Sequence, residues 1–157
     1  RIRRDATHMS GPSGSRAFVD ASVVVRLFDD DEPERQAAAR ALFGDVDGTT
    51  VVVSADVLAE FYDMVTTRMA RPLPAVTARR ALADLPDLAA VHVDPDLVAA
   101  AVDTAAEFGI PVRAALAVEA AVTAGCDRLL TEALPHGTVV RNLVVEDPGD
   151  RGEEIRT

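Results

Sequence analysis

Lysine is absent from this chain of 157 residues, and all sixteen of its basic residues are arginine. A Walker-type phosphate loop, Schiff-base chemistry and a Ser–Lys nucleophile pair each need a lysine, so the sequence excludes all three. Cysteine is nearly absent as well. The single Cys126 cannot form an internal disulfide framework or a cysteine-rich zinc site.

Aromatic residues and long apolar runs are also sparse. Aromatics make up 4% of the chain and tryptophan is missing, which argues against a platform on which nucleic-acid bases stack. The apolar runs are short and interrupted by Asp, Glu or Arg, so the sequence predicts no membrane span. No apolar leader segment is visible, and we expect a cytoplasmic, reducing environment.

Positive charge is scarce relative to negative charge, with 16 basic against 26 acidic residues and a net charge of −10. This balance argues against a protein that coats nucleic acid, because such proteins are basic. It still permits an enzyme that admits nucleic acid at one local site, where multivalent cations neutralise acidic side chains. The length and the 48% hydrophobic content predict one globular domain.

The two ends of the chain differ from its body. Residues 1–16 lack periodicity and contain Ser-Gly and Gly-Pro clusters around His8 and Met9. This composition predicts a tag remnant and a flexible lead-in. We assign residues 17–148 to a single folded domain and residues 149–157 to a polar tail.

Apolar strand patterns alternate with helical patterns along this domain. The sequence predicts strands over residues 17–20, 49–55, 88–94, 126–133 and 139–147, the last being one strand or a pair. It predicts helices over residues 21–28, 29–45, 56–70, 73–85, 95–109 and 111–125. Continuous apolar strands separated by helices predict an α/β fold, with a mainly parallel sheet covered by helices on both faces.

Three acidic residues attract attention because function in open α/β sheets lies at the carboxyl ends of the strands. Asp20 ends the first predicted strand and Glu132 ends the fourth. Glu60 lies on the apolar side of a helix, and no arginine is three or four residues away. A carboxylate that faces the protein interior needs a partner of opposite charge, so we expect Glu60 to bind a hard cation such as Mg²⁺. The alternatives are a helix cap for Asp20, a distant arginine for Glu60 and a solvated strand end for Glu132.

Four segments carry a family resemblance: FVDASVVVRLF, VLAEFYDMV, ALAVEAAVTAGCDRLLTEALPHG and NLVVEDP. In this order and at these separations, residues 17–148 resemble a PIN-domain ribonuclease, specifically the VapC-type toxin of a type II toxin–antitoxin system. The resemblance implies a three-layer α/β/α domain that binds Mg²⁺ or Mn²⁺ and cuts single-stranded RNA regions, whether of tRNA, rRNA or mRNA. It also implies a cognate antitoxin and a homodimer.

The resemblance assigns catalytic positions one by one. The family's first two acids fall on Asp20 and Glu60, which would be metal ligands. The third acid, also a ligand, falls on Ala114, and the fourth falls on Ala133. Glu132, next to the fourth position, is retained as a catalytic candidate. Because the motif is intact around each alanine, we interpret both as engineered replacements, with natural decay as the alternative.

Five further residues have supporting roles in this hypothesis. Ser22 is the small hydroxyl residue that accompanies the first acid in the family, and Thr131 belongs to the strand-end motif. Arg26, Arg113 and Arg141 are candidates for contact with RNA phosphates, since each lies near a strand end or the helix that carries position 114. Ordinary surface ion pairs are the alternative for each arginine.

The two alanines predict weak or absent binding of divalent metal and little or no nuclease activity. The competing hypothesis is a naturally degenerate PIN domain that binds a protein partner or RNA without cutting it. A receiver domain also has an acidic pocket at its strand ends, but it requires a lysine, which this chain lacks.

Overall fold

The computed structural model describes residues 15–44, 48–85 and 88–150. Residues 1–14 of the predicted lead-in (1–16) and residues 151–157 of the predicted tail (149–157) lie outside the described residues, whereas Arg16 begins the first strand. Within the described part of the chain, no helix is long and apolar enough to cross a membrane.

The strands of the described chain form one six-stranded sheet. They are β1 (Arg16–Val19), β2 (Thr50–Ser54), β3 (Ala89–Val91), β4 (Arg128–Leu130), β5 (Val139–Val140) and β6 (Leu143–Glu146). Their order across the sheet is β3-β2-β1-β4-β6-β5, and every neighbouring pair is parallel except β5 with β6. The predicted mainly parallel sheet is confirmed, and its last predicted strand is a pair.

The helices lie between these strands. They are α1 (Ala21–Val24), α2 (Pro33–Phe43), α3 (Ala55–Asp63), α4 (Ala75–Asp84), α5 (Pro95–Phe108) and α6 (Val112–Thr123). α1 continues as a 3₁₀ turn over Val25–Phe28, and α3 continues as a π-helical segment over Met64–Arg68. Helices thus flank the sheet, which confirms the predicted α/β class.

The core is built around β1, where Ala17, Phe18 and Val19 are completely buried. Burial on both faces is expected for a central strand of a parallel sheet and explains its unbroken apolar sequence. α6 packs against β1, β2 and β4, and α3 buries Phe61. These contacts fix α3 and α6 relative to the central strands.

The turn between α5 and α6 sets the start of α6. Gly109 ends α5 with a φ of 64°, in the left-handed region that favours glycine. Pro111 then precedes the first residue of α6, where its fixed φ suits a helix start. This turn places Arg113 and Ala114 in the first turn of α6.

The predicted strand over residues 126–133 is shorter in the structure and ends at Leu130. The Thr131 N–H still donates to the Glu146 carbonyl at 3.0 Å. The Thr131 hydroxyl oxygen then accepts a hydrogen bond from the Ala133 N–H at 3.0 Å. This local turn competes with the sheet ladder and ends the strand.

Candidate functional site

A cavity of about 180 Å³ lies where β1, α3, α6 and the segment after β4 meet. Asp20, Glu60, Ala114 and Ala133 all line this cavity, together with Arg113 and other residues. The structure therefore brings together the four positions that the family resemblance had assigned to acids. Two of them are carboxylates, and the other two are alanines.

Asp20 is held by hydroxyl groups on both sides. Its Oδ2 accepts hydrogen bonds from the Ser22 hydroxyl at 2.7 Å and from the Thr131 hydroxyl at 3.0 Å. The Ser22 backbone N–H also donates to Oδ2 at 3.4 Å, so Asp20 caps α1 as well. The same Asp20 carboxylate thus caps α1 and lines the cavity. Ser22 and Thr131 fix the direction of this carboxylate.

Glu60 reaches the cavity from α3 and forms an ion pair with Arg113, whose Nη2 lies 3.0 Å from Glu60 Oε2. The Glu60 side chain is 19% exposed and the Arg113 side chain is 66% exposed. This is the distant arginine that the sequence left open as the alternative to a bound cation for Glu60. Helical spacing reveals only partners on the same helix, whereas Arg113 comes from α6.

Burial raises the pKa of the Glu60 carboxyl, and Asp20 and Asp56 raise it further, while Arg113 and Arg68 oppose them. The folded state therefore keeps this proton to a higher pH than the unfolded chain. The contribution of Glu60 to the unfolding free energy is fully present below the unfolded pKa and declines as the pH rises through the folded pKa.

We therefore expect the stability of Glu60→Gln relative to the unsubstituted chain to increase with pH. Urea unfolding from about pH 4 to about pH 7 measures this difference. Glu107→Gln, at an exposed position on α5, controls for the loss of one carboxylate. A difference that stays constant over this range for Glu60→Gln contradicts the prediction.

Glu132 does not line the cavity. Its carboxylate accepts two hydrogen bonds from Arg26, from Nε and Nη2, each at 2.8 Å. Arg35 Nη1 lies 3.3 Å from the same carboxylate, and the Glu132 side chain is only 17% exposed. The alternative of a solvated strand end is therefore wrong, and Glu132 belongs to a partly buried ion-pair cluster.

The backbone around Glu132 departs from strand geometry. Leu129, Thr131 and Ala133 line the cavity, and Glu132 does not. The chain bends after Thr131, and the adjacent residues Ala133 and Leu134 both line the cavity. Strand alternation therefore does not set the side-chain directions at residues 132–134.

The three arginine candidates have different surroundings. Arg113 lines the cavity, whereas Arg26 is engaged by Glu132 and by Asp29. Arg141, in the turn between β5 and β6, donates to the buried carboxylate of Glu119 at 2.8 Å. Of the three, only Arg113 is brought to the cavity.

The cavity does not fit a preformed centre for a divalent cation. Among residues 15–44, 48–85 and 88–150, no group of three His, Cys, Asp or Glu side chains is placed to hold a metal ion. The cavity itself offers two carboxylates, one hydrogen-bonded to hydroxyls and one paired with Arg113. Mg²⁺ binding would therefore rely on few protein ligands and many waters.

The fold and this cavity define an α/β domain with acidic positions at the carboxyl edge of a mainly parallel sheet. The sequence profile of the PIN domain family matches residues 17–132. Because this match covers most of the chain, the chain belongs to the PIN domain family, as its motifs predicted. A sequence comparison with curated proteins finds no match.

Several solved structures share this fold. The Mycobacterium tuberculosis toxin VapC20, which cleaves the sarcin–ricin loop, has a TM-score of 0.59 and 20% identity, covering 72% of this chain and 86% of that chain. VapBC2 of Rickettsia felis, bound to a promoter DNA fragment, has a TM-score of 0.58 and 15% identity, covering 83% and 97%. A toxin–antitoxin complex from Klebsiella pneumoniae has a TM-score of 0.60 and 16% identity, covering 84% and 97%.

Proposed function

We propose that this chain is a VapC-like toxin, an endoribonuclease by ancestry, whose catalytic centre is disabled or strongly impaired. The observation that carries the proposal is the composition of the cavity. Asp20 faces it from the end of β1 and Glu60 faces it from α3, while Ala114 and Ala133 stand at the two remaining positions where the family has acids.

Loss of two carboxylates weakens a cation site in two ways. It removes ligand oxygens, and it lowers the negative potential that attracts a divalent ion. Ala114 and Ala133 instead extend an apolar wall that includes Ala117, Leu129 and Leu134. We assign no cation-dependent step to this chain, because its own residues do not fit such a centre.

RNA remains the proposed ligand class at the mouth of this cavity. Arg113 is largely exposed and lies beside the cavity, where its guanidinium can reach a phosphate group. A contact of this kind gives salt-dependent affinity without sequence readout. The acidic surface of the chain limits further phosphate contacts, so we expect weak binding.

A cognate antitoxin is the proposed protein partner, and a second copy of the chain completes the expected homodimer. Support comes from the fold, which is shared with chains solved in toxin–antitoxin complexes. An arginine inserted by the antitoxin would find Asp20 and Glu60 as acceptors. Two further acceptors are missing at positions 114 and 133, so apolar groove contacts would supply more of the affinity.

The second candidate function is a naturally degenerate PIN domain that binds RNA or protein without cleavage. The ion pair between Glu60 and Arg113 is compatible with it, because Glu60 has a counterion without a bound cation. The codons for positions 114 and 133 in the source genome distinguish engineered replacement from natural decay. Aspartate codons indicate engineered replacement, and alanine codons indicate natural decay.

An RNA-cleavage assay with a Mn²⁺ titration tests the proposal on the chain as it stands. We expect no metal-dependent cleavage above a metal-free control, and Mn²⁺ binding weaker than about 1 mM by calorimetry, since only two acids remain. Robust metal-dependent cleavage of RNA by this chain would contradict the proposal.

A further inference from the structure

We infer that Arg113 is the resident counterion of the cavity, whose guanidinium neutralises Glu60 and competes with divalent cations for that carboxylate. The inference rests on the proposed nuclease ancestry of the cavity and adds a residue that regulates its cation affinity. Arg113 would thus lower the cation affinity of the cavity even where acids are restored at positions 114 and 133.

The contact that carries this inference is direct. Arg113 Nη2 lies 3.0 Å from Glu60 Oε2, so the two side chains form a close ion pair. Arg113 occupies the first turn of α6, immediately before Ala114, so its backbone is fixed beside the cavity. A substitution at position 114 therefore leaves Arg113 within reach of Glu60.

The other arginines near the cavity form their ion pairs with different acids, although the charge of Arg68 also acts on Glu60. Arg26 binds Glu132 and Asp29, and Arg68 forms an ion pair with Asp63 at 2.9 Å. Among the described residues, Arg113 is the only arginine that lines the cavity. It is thus the cation best placed to compete for Glu60.

The competition has an electrostatic and a ligand component. A divalent ion on Glu60 lies within a few ångströms of the guanidinium, and the two positive charges repel each other. The ion also needs the Glu60 carboxylate that Arg113 pairs with. Because Arg113 is 66% exposed, solvent screens the interaction, and we expect an effect of about threefold to tenfold on metal affinity.

Mn²⁺ binding, followed by electron paramagnetic resonance of the free ion, tests the inference without relying on activity. Arg113→Gln removes the charge and keeps a polar side chain of similar reach, whereas Arg113→Lys keeps the charge. Arg80→Gln, at an exposed position on α4, controls for the change in net charge. Each substitution is made in the chain as it stands and in the Ala114→Asp, Ala133→Asp background.

In the acid-restored background, we expect Arg113→Gln to bind Mn²⁺ about threefold to tenfold more tightly than Arg80→Gln. The Mn²⁺ affinity of Arg113→Lys should stay close to that of its parent. A purely structural role for the arginine would not give this result. Equal affinities for Arg113→Gln and Arg80→Gln overturn the inference and leave the proposed function intact. Absence of Mn²⁺ binding in every variant overturns both.

Discussion

Replacing Ala114 and Ala133 by aspartate together is expected to produce metal-dependent RNA cleavage, at least about 100-fold faster than by the chain as it stands. Loss of an outer-shell partner alone typically costs a metal site 10–100-fold, so restoring two acids at the site itself should exceed that range. Both positions line the cavity with Asp20 and Glu60, and four converging carboxylates would provide ligands for a divalent ion.

The matched control is the Ala114→Asn, Ala133→Asn variant, which adds side chains of the same size without charge. Its rate of RNA cleavage should equal that of the parent chain. Each single aspartate variant should recover much less cleavage than the double variant, because the effects of residues that act as a unit are strongly non-additive. Equal cleavage by the aspartate and asparagine variants, or none by either, contradicts the account.

Replacing Glu132 by alanine is expected to lower the unfolding free energy by about 2–3 kcal/mol, in the range for charge-assisted hydrogen bonds that are partly buried. Glu132 receives two hydrogen bonds from Arg26 and a charge contact from Arg35. Its removal leaves both guanidinium groups without that partner. The cluster joins the 3₁₀ turn after α1, helix α2 and the end of β4, so the loss affects global stability.

Urea unfolding measures this effect, and Asp31→Asn provides the comparison. Asp31 pairs with Arg71 at 2.6 Å, but both side chains are exposed, so we expect a loss below about 1 kcal/mol. The loss of unfolding free energy in Glu132→Gln should fall between those of Glu132→Ala and Asp31→Asn, since glutamine keeps a hydrogen-bond acceptor and loses the charge. Unchanged stability of Glu132→Ala, combined with loss of cleavage in the acid-restored background, would instead support a catalytic role for Glu132.

Local sequence patterns were sufficient to predict the fold. The strands around β1 are continuous apolar runs because helices cover both faces of the sheet. Gly109 and Pro111 mark the turn between α5 and α6 through their own backbone preferences. The end of β4 was missed because Thr131 turns the chain through a side-chain hydrogen bond, which strand propensity does not include.

The candidate site was predicted in position but not in its pairing. Strand ends and family motifs led to Asp20 and Glu60, both of which line the cavity. The sequence left a distant arginine open as the partner of Glu60 but could not identify it, because Arg113 is distant in sequence and meets Glu60 only where α3 and α6 line the same cavity. The orientation of Glu132 was missed because the chain bends beyond β4, where strand patterns no longer fix the directions of side chains.

The position of a bound cation would show directly whether this cavity is the remnant of a metal-dependent nuclease centre. Crystals of the Ala114→Asp, Ala133→Asp variant soaked in Mn²⁺ would reveal it by anomalous diffraction. We expect a peak in the cavity, within coordination distance of Asp20 and the carboxylate introduced at position 114. A peak only elsewhere, or none at a Mn²⁺ concentration that supports cleavage, would contradict it.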